Sequence, residues 1–213
     1  AQHKASGKAN WAKGKHTLKK IEEARSNGAD VTCDVYPYLA GSTGLDALLP
    51  PPTCEGCIEI LVEILKNHRI RQQLQREMEQ STLLRVDGWN NIMISYCKGH
   101  REYEGKTIAE ITEQKRIDPY GFVFDLLIQE KASVAIVIFT MCEKDMRAVL
   151  KHPASMIGSD SSSTAPYGVL AKGKPHPRTY GTFPLAFRKY VRGETRKELP
   201  LEAGTKLLTL EQM

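Results

Sequence analysis

SVAIVIFTMCEKDMRAVLKHPASMIGSD, residues 133 to 160, is the stretch whose reading sets the fold class. Ser133 to Phe139 is apolar without polar alternation, the pattern of a strand buried on both faces of a parallel sheet or barrel. Thr140 and Glu143 have the spacing of a capping box, which opens a helix to about Lys151. Met156 to Asp160 then forms a short strand with a carboxylate at its C-terminal end. Strand, helix and strand in that order predict an α/β fold with right-handed parallel crossovers.

The same alternation extends toward the N-terminus. Leu18 to Arg25 is helical and stops at Asn27-Gly28, and Val31 to Tyr36 follows as a strand. Pro37 and the run Leu39 to Gly44 end that strand in a loop, because proline lacks a ladder donor and glycines permit tight turns. From Cys57 to about Glu79, Ile60, Leu61, Ile64, Leu65, Ile70, Leu74 and Met78 recur at helical spacing, with a break at Asn67-His68. That pattern predicts two amphipathic helices. Asn91 to Cys97 is a further strand, Thr107 to Glu110 a capping box, and Asp118-Pro119 an N-cap with proline at the first helical position. Parallel strands are expected near residues 31–36, 133–139 and 155–159.

Composition narrows the function classes. At 213 residues, with 41% apolar and 26% charged residues, the chain can bury a sizeable core, and no apolar run reaches membrane-span length. The net charge of +5 is spread among interleaved signs, as on solvated helix faces, so no membrane partner is expected. Six lysines between Lys4 and Lys20 have only Trp11 near them, which argues against nucleic acid, since single strands need stacking aromatics. Five cysteines, an odd number without a signal peptide, point to reduced thiols and a cytoplasmic setting. Cys54 and Cys57 have zinc or redox spacing, but no second pair follows at finger spacing, so they read as two thiols near a helix start. Because the chain opens at Ala1 in motif-like sequence, its natural start is expected upstream.

Asp160 is the strongest candidate for chemistry, since a carboxylate at the C-terminal end of a buried parallel strand faces the usual active-site mouth. The same aspartate equally fits an N-cap or a loop. Arg178, in His176-Pro177-Arg178, has a guanidinium able to hold a carboxylate through two parallel hydrogen bonds, or to lie on the surface. The phenols of Tyr36-Pro37-Tyr38 either pack or donate to a bound anion.

Read in order, these segments resemble the N-acyl-D-amino-acid deacylase (D-aminoacylase) family of the amidohydrolase superfamily. The pieces are Gln2-His3-Lys4 with Gly7 and Asn10-Trp11, Asp34 to Tyr38 with Ala40 to Thr43, Gly158-Ser159-Asp160, Lys174 to Arg178, and Gly181 to Pro184. The resemblance implies the last strands of a partial TIM-like, metal-dependent barrel with a helical insertion at about residues 45–101. It implies zinc as cofactor and an N-acyl-D-amino acid as substrate, hydrolysed at its amide. Asp160 matches the family's proton-shuttling aspartate, and Lys4, Tyr36, Ser42 and Arg178 match positions that grip the substrate α-carboxylate.

Two departures bear on activity. Gln2 stands where the family has its first metal-ligating histidine, so His3 would have to serve one residue out of register, on the opposite face of an extended chain. The family's other metal ligands are expected upstream, and the chain stops at Met213 before its small β-sandwich is complete. The chain alone is therefore expected to be inactive, with the N-terminal half supplied as a separate chain. The alternative is a non-catalytic truncated domain, or a subunit that completes a barrel with a partner chain.

Overall fold

The structure, a computed structural model, describes residues 3–51 and 58–192. Gln2, the Cys54–Cys57 pair and the chain end at Met213 lie outside the described residues. In chain order the main elements are α1 (Gly14–Ser26), β1 (Cys33–Val35), β2 (Gly41–Gly44), α2 (Ile58–Lys66), α3 (His68–Gln80) and β3 (Ile92–Cys97). They continue with α4 (Ile108–Lys115), α5 (Pro119–Gln129), β4 (Val134–Ile138), α6 (Glu143–Leu150), β5 (Ser155–Ile157) and α7 (Arg178–Ala186). The described residues form two compact units, one of residues 3–39, 141–164 and 177–192, the other of residues 40–51, 58–140 and 165–176.

The first unit is built on the parallel pair β1 and β5, with Cys33, Asp34 and Val35 opposite Ser155, Met156 and Ile157. Alternation sends Cys33, Val35 and Ile157 into a core with Leu18 of α1, Met146 and Val149 of α6, and Ala186 of α7. Because residues 33 and 35 bond to β5, the polar backbone of Asp34 faces the other edge, where the His3 amide donates to its carbonyl at 2.8 Å. Helix α1 ends as Asn27-Gly28 predicts. Gly28 is left-handed at φ 87°, and the amides of Gly28 and Ala29 close on the carbonyls of Arg25 and Ala24 at 3.0 Å each.

In the second unit β4 is central, antiparallel to β2 on one side and to β3 on the other. This corrects the expectation that residues 133–139 form a parallel strand. The apolar run reports burial, and Val134, Ile136 and Val137 are indeed buried, but hydropathy carries no information about strand direction. The β3 ladder slips between Ile94 and Tyr96, and the Ser95 carbonyl at the slip accepts the Lys174 amide at 2.6 Å. Below the sheet, Leu65, Leu74, Met78, Phe124 and Leu127 form the core. Buried among carboxylates, the Cys97 thiol is pushed up to about 11, and Cys33, Cys97 and Cys142 are all free thiols.

Local signals placed most helix ends correctly. Asn67 breaks the α2–α3 run because its side-chain oxygen caps α3, accepting the amides of Arg69 and Ile70 at 3.0 and 3.3 Å. Asn67→Ala is expected to lower the unfolding free energy by about 1 kcal/mol in a urea titration. Thr107 and Glu110 form the reciprocal box on α4, and Asp118 caps α5 through the Gly121 amide at 2.7 Å. The box expected at Thr140 and Glu143 does not form. Helix α6 starts later, with Cys142 at its cap and no side-chain bond there. The Glu143 carboxylate is drawn instead to Arg147 and Lys189, at 2.9 and 3.0 Å. No helix among the described residues is long and apolar enough to cross a membrane.

Candidate functional site

Parallel strands deliver their C-terminal ends to the same side, and here β1 and β5 bring Tyr36 and Asp160 together. Gly158 allows the approach, since a Cβ on it would lie 2.5 Å from the Asp34 carboxylate. Asp160 itself sits at φ 50°, a left-handed conformation that aspartate tolerates better than most residues. Arg178 enters from the first turn of α7, and Lys4 from the extended segment bonded along the free side of β1.

The four polar ends close a ring. Lys4 Nζ donates to Tyr36 Oη at 2.6 Å and to Asp160 Oδ2 at 3.1 Å. Arg178 Nη1 donates to Tyr36 Oη and to Asp160 Oδ2, each at 2.9 Å. Both cations also lie over the Tyr36 ring, 4.5 Å for Lys4 and 4.9 Å for Arg178. Tyr36 is buried at 2% exposure, whereas the Asp160 side chain is 38% exposed, so the ring has a buried floor and an open rim. Lys4 and Arg178 share the Asp160 carboxylate as an ion-pair partner. A cleft of about 310 Å³ adjoins Lys4, lined in part by Ser6, Asn10, Lys13 and Thr17.

Asp160 lies in the loop after β5, ion-paired with Lys4 and Arg178, and Arg178 is buried. Ser42 lies in the second unit, on β2, opposite Val137. His3 turns away from Lys4, as neighbours in an extended segment do, and its Nε2 lies 2.6 Å from Thr17 Oγ1 on α1. Its Nδ1 is buried without a hydrogen-bond partner. Burial holds the imidazole below its usual pKa, with a smaller push in the same direction from His152 and an opposing effect of its backbone hydrogen bond. Among the described residues no three histidine, cysteine or acidic side chains are grouped to hold a metal ion. With His3 Nε2 engaged by Thr17, the described residues do not by themselves fit a zinc centre.

Two residues of this region carried no sequence signal. Thr17 is one serviceable helix-surface residue among many, and Asp145 reaches across from α6 to accept the Ala12 amide at 2.6 Å, fixing a turn where Ala12 has φ 70°.

The chain is similar to the N-acyl-D-glutamate deacylase of Alcaligenes xylosoxydans xylosoxydans, 28% identical over 218 residues, covering 98% of this chain and 33% of that protein. The D-aminoacylase of the same organism is 28% identical over 192 residues, covering 90% of this chain and 30% of the relative. A solved D-aminoacylase, described with a binuclear metal centre, superposes with a TM-score of 0.65 at 28% identity, covering 98% of this chain and 33% of that one. The N-acyl-D-glutamate deacylase of Bordetella bronchiseptica, solved with zinc and a phosphonate inhibitor, gives 0.64 at 25% identity over the same shares. No family model matches the chain. The chain spans about a third of the length of these proteins. In sequence and in α/β fold it is therefore a relative of the N-acyl-D-amino-acid deacylases.

Proposed function

We propose that the protein to which this chain contributes hydrolyses the amide bond of N-acyl-D-amino acids, and that this chain supplies the grip on the substrate α-carboxylate. The observation that carries the reading is the closed ring of Lys4, Tyr36, Arg178 and Asp160, drawn from four separate parts of the sequence. Lys4, Arg178 and the Tyr36 hydroxyl are donors suited to a carboxylate. Asp160, whose side chain is at the open rim, is assigned the role of taking a proton from the attacking water and returning it to the leaving nitrogen. Ser42 is assigned to the same grip on the resemblance alone.

The relatives' metal enters as part of this proposal. With His3 engaged by Thr17, zinc would require ligands from sequence beyond the described residues, contiguous or on a partner chain. The first unit, whose parallel strands are separated in sequence by the second, is read as the end of a TIM-like barrel, with a helical insertion at about residues 45–101. Free thiols at all three described cysteines suit a cytoplasmic setting.

Titration of the 213-residue chain with N-acetyl-D-glutamate tests the reading. Saturable binding is expected, with NMR shifts at Tyr36 and Arg178, and none for the same compound with its α-carboxylate converted to a carboxamide. Identical behaviour of the two compounds removes the carboxylate site. Turnover of N-acetyl-D-methionine is expected only when the N-terminal two-thirds of a relative is supplied in trans. A non-catalytic role completing a barrel is favoured by one observation, that β5 pairs only with β1 among the described residues. It predicts assembly with that partner without any turnover that depends on Asp160.

A further inference from the structure

We propose that His3 is a positioning residue that aims Lys4 into the anion site, a role that rests on the carboxylate reading above. The segment carrying Lys4 is attached on both sides of its path. The His3 amide bonds to the Asp34 carbonyl at 2.8 Å, and the His3 ring bonds to Thr17 at 2.6 Å. Thr17 Oγ1 also donates to the Gly14 carbonyl at 3.0 Å. A hydroxyl has one proton, so its oxygen accepts from His3 Nε2–H, and Nδ1 is left as a bare acceptor.

That Nδ1 is buried and unpartnered, which is an unfavourable arrangement for packing alone. An apolar side chain of similar shape would fill the same space without it. What imidazole adds is the bond to Thr17, which fixes the backbone of residue 3 between β1 and α1. Alternation then sends the next side chain to the opposite face, where Lys4 Nζ meets Tyr36 Oη and Asp160 Oδ2. Asp145, through the Ala12 amide, holds the turn that leads into the same helix. A lysine on a flexible four-carbon stem gains reach only if its Cα is placed, and this latch places it.

The variants separate aiming from folding. Glutamine carries an amide N–H near the position of imidazole Nε2, so His3→Gln retains the bond to Thr17, whereas His3→Leu and Thr17→Val remove it. Thr17 is exposed on α1, so its replacement leaves the fold in place. In a lysine-acylation footprint read by mass spectrometry, Lys4 of the wild-type chain is expected to react more slowly than Lys8 or Lys15. His3→Leu and Thr17→Val should each raise the Lys4 rate severalfold without changing the others, and His3→Gln should restore protection. The same two variants should weaken N-acetyl-D-glutamate binding about tenfold, the loss of one charge-linked hydrogen bond, and should have no effect in a Lys4→Met background. If Lys4 reacts equally in all variants, or if His3→Gln behaves as His3→Leu does, the latch is refuted. A wild-type chain that binds no N-acetyl-D-glutamate overturns the functional reading alone, because the footprint still decides whether His3 aims Lys4.

Discussion

Asp160→Asn is expected to abolish turnover in the complemented enzyme while making the chain bind free carboxylates more tightly. In the ring, Asp160 Oδ2 occupies the cationic groups of both Lys4 and Arg178, at 3.1 and 2.9 Å, and so competes with any α-carboxylate that approaches them. An asparagine keeps the size and removes the charge. Hydrogen bonds to charged groups contribute about 1.5–3 kcal/mol each, but the Asp160 side chain is 38% exposed and solvent screens the pair. A gain of about tenfold in affinity for N-acetyl-D-glutamate is the discounted expectation. Calorimetry at low and high salt checks it, since the gain should shrink as ionic strength rises. The loss of proton transfer should lower the rate by about 10²–10⁴-fold. Tighter binding with full turnover would move the proton-transfer role to another residue.

Arg178→Ala is expected to cost about 2 kcal/mol of stability and to remove detectable carboxylate binding. The side chain is 10% exposed, lies over the Tyr36 ring, and donates to a phenol oxygen in a residue only 2% exposed. Its removal leaves Tyr36 and Asp160 short of a donor in a partly closed site. Full loss of a buried pair costs about 3–5 kcal/mol, and the exposure of Asp160 reduces that figure. Arg178→Lys separates the two effects. A single ammonium retains the charge but cannot reproduce a planar two-pronged contact, so stability should largely return while affinity stays at least about tenfold below wild type. Urea unfolding and calorimetry on the same samples give both quantities. Equal ligand affinity for the Lys and Arg forms would show that charge alone, without geometry, governs the site.

Helix ends and strand positions were legible because their causes are local. The Asn67 cap, the Thr107–Glu110 box, the Asp118-Pro119 start and the Gly28 stop each involve groups within a few residues of one another. The Glu143 carboxylate, expected in a box with Thr140, is held instead by Arg147 one turn on and by Lys189 from 46 residues away, and only the second of these lies beyond local reading. The antiparallel direction of β4 was illegible because an apolar run is the same read from either end.

By itself, then, the sequence determined where α1 through α5 begin or end, where the strands near 33–35, 92–97, 134–138 and 155–157 lie, and which residues resemble a deacylase site. Only the tertiary structure decided that Lys4, Tyr36, Asp160 and Arg178 meet, with Lys4 32 residues from Tyr36 and 156 from Asp160, and that His3 faces Thr17. The physical reason is range. Capping and periodicity depend on backbone groups one helical turn apart, whereas a charge cluster depends on which strand ends the parallel pairing brings together.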